Sequence, residues 1–87
     1  MTHNIQVRVK YFAAVREALG NGHASWPTQA TTVGTLRAEL MARDAQHAEA
    51  LGPGRAVRTA HNQVLCGPET LLREGDEVAF FPPVTGG

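Results

Sequence analysis

Cysteine is almost absent from this chain. Cys66 stands alone, so no intrachain disulfide can close and no zinc-type cysteine spacing can be written; it reads as a small packed side chain, and a reducing compartment is the expected setting. Charge of one sign is also missing, since eight Lys plus Arg balance eight Asp plus Glu. Without a basic excess, neither nucleic acid nor an anionic membrane is an expected partner. There is no long apolar run near the start, where Ile5, Val7 and Val9 are separated by polar residues. Neither a signal segment nor a membrane span is therefore expected, and the location is read as cytoplasmic. His3, His23, His47 and His61 are scattered without ligand spacing, so no metal is assigned. Internal repeats, low-complexity tracts and dividing linkers are missing too. With 87 residues, one domain with a single modest core is expected.

What is present is a clear succession of periods. Ile5-Gln6-Val7-Arg8-Val9-Lys10-Tyr11 alternates apolar and polar, the pattern of a strand with one buried face. Residues 13–19 change to helical spacing with Val15 and Leu19 four apart, and Gly20-Asn21-Gly22 supplies a turn. Residues 23–30 predict a strand interrupted by Pro27, which belongs at a sheet edge. Thr31 or Thr32 can cap the main helix, whose stripe is Val33, Leu36, Leu40 and Met41. Residues 44–55 are Ala-rich, meet Gly52-Pro53-Gly54, and are expected to form a loose connection. Residues 55–61 and 64–66 form a hairpin about Asn62-Gln63. A turn at Glu74-Gly75-Asp76 precedes a last strand through Glu77-Val78-Ala79-Phe80-Phe81, which Pro82-Pro83 stops.

This order predicts an α+β domain with one mixed sheet packed on one main helix, which suits a β-grasp (ubiquitin-like) fold over residues 1–81 with an extended tail over 82–87. The run Gly75-Asp76-Glu77-Val78-Ala79-Phe80-Phe81-Pro82-Pro83-Val84-Thr85-Gly86-Gly87 resembles the C-terminus of the molybdopterin synthase small-subunit (MoaD/ThiS) family of ubiquitin-like proteins. Further similarity lies in Val9-Lys10-Tyr11-Phe12-Ala13 with Val15-Arg16-Glu17, in Thr32-Val33 leading to Leu36, and in Asn62-Gln63. The resemblance thus runs through the whole chain, with 44–55 and the turn at Gly20 unlike the pattern.

The tail's chemistry follows from its residue types. Pro82 and Pro83 lack an amide hydrogen and hold φ at about −65°, so they cannot extend a ladder and send the chain out as a stiff stem. Pro82, Pro83, Val84, Thr85, Gly86 and Gly87 together reach about 20 Å, enough to enter a neighbour's active site. Gly86 and Gly87 let a narrow channel close around the backbone. The resemblance implies that a ubiquitin-activating-type adenylating enzyme joins the Gly87 carboxylate to AMP from ATP. Sulfide equivalents then displace AMP to give a thiocarboxylate, which delivers sulfur to a cyclic pyranopterin precursor for the molybdopterin dithiolene. It also implies a large catalytic subunit as partner, in a two-to-two assembly. No bound cofactor is expected, and a chain this small lacks a pocket-sized interior of its own.

Alternation also marks a docking surface. With Ile5, Val7, Val9 and Tyr11 facing the core, Arg8, Lys10 and Phe12 face outward; with Val78 and Phe80 inward, Ala79 and Phe81 face out. The β-grasp resemblance makes the first and last strands parallel neighbours, which brings Phe12 beside Phe81 at the root of the tail, and Leu65 can share that face. In the family the positions of Phe12, Leu65 and Phe81 form the hydrophobic contact with partners. Arg8 and Lys10 flank it as cations for acidic groups. Two other functions use the same tail: a sulfur carrier for another pathway such as thiamine, in which Pro-Pro-Val-Thr before the glycines is not expected, and a ubiquitin-like modifier joined through Gly87 to lysines of target proteins.

Overall fold

The computed structural model describes residues 4–52, 54 and 56–83. Its elements are β1 (Ile5–Tyr11), α1 (Ala13–Leu19), β2 (His23–Thr28), α2 (Val33–Met41), α3 (Ala45–Leu51), β3 (Arg58–His61), β4 (Val64–Leu65) and β5 (Glu77–Phe81). The five strands make one sheet in the order β2-β1-β5-β3-β4, in which only β1 and β5 run parallel. The alternation in β1 is obeyed strictly: Val7, Val9 and Tyr11 are buried while Gln6 and Arg8 are exposed. On the same inner face Val78 and Phe80 are fully buried, and Tyr11 stacks on Phe80 with ring centroids 6.1 Å apart.

β2 is an edge strand, and its proline shows why. Gln6 and Arg8 turn their amides toward Glu74 and Asp76 on the β5 side. Pro27, opposite Gln6, therefore sits where the strand's own amide points away from β1, and the missing N–H costs no ladder bond. Trp26 in the same strand faces inward, where its indole N–H donates to Glu39 of α2 at 2.7 Å. α2 starts where Thr32 accepts from the Thr35 amide and lays Val33, Leu36 and Leu40 on the sheet; Met41 is only partly buried against that core. The two-residue turn Asn62-Gln63 has positive φ at both positions (49° and 70°), the twist that suits a tight hairpin.

At the entry to β5, Asp76 gathers the turn and the hairpin. Its carboxylate accepts from His61 Nε2 (2.6 Å), Asn62 Nδ2 (3.2 Å) and the Arg73 amide (2.8 Å).

Residues 44–55 correct the expectation of a loose connection, because 45–51 form α3. Asp44 caps it, accepting from both the amide and the Nδ1 of His47, each at 2.8 Å. These bonds hold the Asp44 carboxyl below the usual aspartate value. The helix buries His47, Ala50 and Leu51, with the His47 ring edge-on to Tyr11. Its C-terminal carbonyls are met by Arg37, whose Nε donates to Leu51 O at 2.7 Å. No helix among the described residues is long and apolar enough to cross a membrane.

Candidate functional site

The parallel pairing of β1 with β5 places Tyr11 beside Phe80, so both strands finish at one edge of the sheet. Phe12 prolongs the ladder by donating its amide to Phe80 O, and its extended backbone leaves the ring outside at 47% exposure. Ala13 then takes a positive φ of 52°, which turns the chain abruptly into α1 and away from Phe12. Phe81, one residue beyond Phe80, faces the same outer side and is half-buried. Pro82 and Pro83 follow it, and the ladder stops.

These residues border an open groove of about 600 Å³ lined by Lys10, Phe12, Ala13, Ala60, Gln63, Glu77, Ala79, Phe81, Pro82 and Pro83. Its floor comes from a row crossing the sheet, Lys10, Ala79 and Ala60, with Leu65 next in register on β4. Ala79 points outward as alternation requires, yet it is 6% exposed, because small side chains between larger neighbours form the bottom of a trough. Aromatic and proline surface borders it at the tail end, and the Lys10–Glu77 pair lies at the other. Leu65 is 65% exposed and lies outside the groove lining, as a further apolar step along the same face.

Lys10 Nζ lies 3.1 Å from Glu77 Oε1, and the Glu77 side chain is nearly buried. Arg8 lies apart from the groove, in a separate depression with Lys10, His23, Ala24 and Ser25. Val84, Thr85, Gly86 and Gly87 lie outside the described residues.

Sequence reasoning missed Glu77, Ala60 and Gln63. Glu77 was within reach of the alternation rule, being two positions before Ala79 and four before Phe81 on the outward face. Its partnership with Lys10 depends on the register of two strands nearly seventy positions apart, which no local pattern carries.

The groove's described residues offer apolar surface and one ion pair. Tyr11 lies on the opposite, core face, where burial pushes its hydroxyl pKa up against a smaller pull from Arg43. Cys66 is half-buried and packs at the margin of the core. No cluster of three or more His, Cys, Asp and Glu that could hold a metal occurs among the described residues.

Comparison with known proteins adds to this geometry. The ThiS family matches residues 9–87. The chain is 42% identical over 81 residues to the molybdopterin synthase sulfur carrier subunit of Escherichia coli K12, covering 93% of this chain and 99% of that one. Among solved structures it is similar to small archaeal modifier protein 1 from Methanosarcina acetivorans, with a TM-score of 0.78 and 26% identity over 98% of this chain and 99% of that one. It also resembles a chain in the complex of subunits 1 and 2 of molybdopterin-converting factor from Helicobacter pylori, with a TM-score of 0.64 and 27% identity over 95% of this chain and 100% of that one.

Proposed function

Because this chain belongs to the ThiS family, we propose that it is a sulfur carrier, the small subunit of a molybdopterin synthase. In this reading a partner enzyme adenylates Gly87 with ATP, sulfide equivalents replace AMP, and the resulting thiocarboxylate gives its sulfur to a cyclic pyranopterin held by a larger catalytic subunit. The observation that carries the reading is spatial. The apolar groove with Phe12, Phe81, Pro82 and Pro83 lies at the point from which the Gly-Gly tail departs. A partner that covers the groove therefore receives the tail at the same place. The similar chain from Helicobacter pylori is in a complex of subunits 1 and 2 of molybdopterin-converting factor, which supports a second subunit as partner. Sulfur transfer needs the carrier to bind, deliver and leave, and a half-exposed aromatic patch without a deep pocket suits a cycle of association and release. No bound cofactor takes part in this scheme, and the adenylate and thiocarboxylate are transient groups on the chain itself.

Likeness to an archaeal modifier protein favours a second reading, in which activated Gly87 is joined to lysines of target proteins. One experiment separates the two. Tagged at its N-terminus and expressed with its adenylating enzyme, the sulfur carrier gives one non-covalent complex with a single larger partner. A ladder of many covalently shifted proteins that vanishes on deletion of Gly87 supports conjugation and contradicts the carrier reading.

A further inference from the structure

Lys10 is the only lysine in the chain; every other Lys or Arg position is an arginine. It stands in the groove with Pro82 and Pro83, the last described residues before the C-terminal glycines. Lys10 is in register with Ala79, so Pro83 lies four residues further along. Four residues also follow Pro83, a contour of about 13 Å, and the lysine stem adds its own length. With that stem, an activated carboxyl group on Gly87 can meet Lys10 of its own chain at full extension, or Lys10 of a second copy. A primary amine freed of its proton is a good nucleophile toward an acyl adenylate, whereas a guanidinium is not.

The structure shows what stands in the way. Glu77 is 8% exposed and its backbone is clamped by the hairpin turn: its amide donates to Asn62 Oδ1 and its carbonyl accepts from the Asn62 amide, each at 2.9 Å. From that fixed position its carboxylate reaches Lys10 Nζ at 3.1 Å. We propose that Lys10 is the chain's own acyl-acceptor site and that Glu77 is the residue that restrains it, so that the activated C-terminus is not spent on its own body. The inference rests on the adenylation reading above. In the unrestrained reaction Lys10 Nζ attacks the Gly87 carbonyl carbon of the acyl adenylate. A C–N bond forms, the C–O bond to the phosphate breaks, AMP leaves with the electron pair, and the proton released from nitrogen passes to water. The product is an isopeptide, within one chain or between two copies.

Two measurements test this. The first needs no enzyme: intact protein is acetylated with an N-hydroxysuccinimide ester at neutral pH, and modification of the Lys10 peptide is followed by mass spectrometry. Glu77→Gln is expected to react several-fold faster than the wild type, with Glu77→Asp, which keeps the charge and shortens its reach, in between. Equal rates in folded proteins overturn the restraint. The second supplies ATP and the adenylating enzyme and withholds the sulfur donor. Glu77→Gln should then accumulate a species lighter by one water, or a linked dimer, with the bond mapped to Lys10 and abolished by Lys10→Arg. An AMP adduct on Glu77→Gln without any Lys10 linkage overturns the acceptor assignment. Absence of an AMP adduct on every form overturns the adenylation reading instead, and the acetylation rates still decide the restraint.

Discussion

Asp76 ties three parts of the chain to one carboxylate, the end of β3, the hairpin turn and the Arg73–Asp76 turn. Partial burial pushes its carboxyl up, but hydrogen bonds from His61, the Arg73 amide and Asn62 outweigh this and hold it below the usual aspartate value. Since the folded pKa lies below the unfolded one, the unfolded chain takes up the proton more readily. The stabilisation is fully present above the unfolded aspartate value and is lost as the pH falls through the folded one. Asp44 is depressed for a similar reason and acts in the same direction. Urea unfolding measured from neutral pH down through the carboxylate range should show stability falling, with a shallower fall in Asp76→Asn, which has no charge to lose. Asp76→Ala, which strands three donors, should cost about 2–3 kcal/mol at neutral pH; an unchanged unfolding midpoint would show that these bonds contribute nothing net.

Elements differ in how plainly their residues announce them. β1 was legible because it buries one face with period two over Ile5–Tyr11, and β5 from its apolar and aromatic run between the Glu74-Gly75-Asp76 turn and Pro82-Pro83. The edge position of β2 was legible from Pro27, and α2 from Thr32 followed by Val33, Leu36 and Leu40. α3 was not, because its buried residues are His47, Ala50 and Leu51, which make no strong apolar stripe, and the Gly-Pro-Gly run after it weighed toward a turn. α3 is stabilised by the local Asp44 cap and by Arg37 donating to the carbonyl of Leu51 from another helix, a contact that no local pattern shows. Gly52 closes the helix so tightly that a Cβ there would stand 2.5 Å from the Ala48 carbonyl oxygen. Gly52→Ala should therefore destabilise by about 1–3 kcal/mol through backbone displacement, measured by chemical denaturation. A neutral effect would mean that the end of α3 yields freely.

At the scale of the molecule, the helices cover one face of the sheet and leave the other to offer a groove at the root of the tail. Much of that face could be read from alternation: Phe12, Phe81 and Leu65 all lie outward as expected, while Arg8 stands apart from the groove. The trough shape could not be read, since it arises from Ala60 and Ala79 meeting across β3 and β5. Phe81→Ala should weaken binding to the proposed larger subunit by about 2 kcal/mol, roughly thirty-fold, and lower stability by less than about 1 kcal/mol. An unchanged affinity with a large loss of stability would assign Phe81 to packing alone.

In the proposed function Gly87 carries sulfur. The direct measurement is intact mass after incubation with ATP, sulfide and a cognate adenylating enzyme, set beside the same reaction on a chain lacking Gly87. The chain ending at Gly87 is expected to gain the mass difference between one sulfur and one oxygen atom, and the shortened chain to gain nothing. An unmodified chain, with an enzyme shown to be active on another carrier, would mean that Gly87 does not carry sulfur.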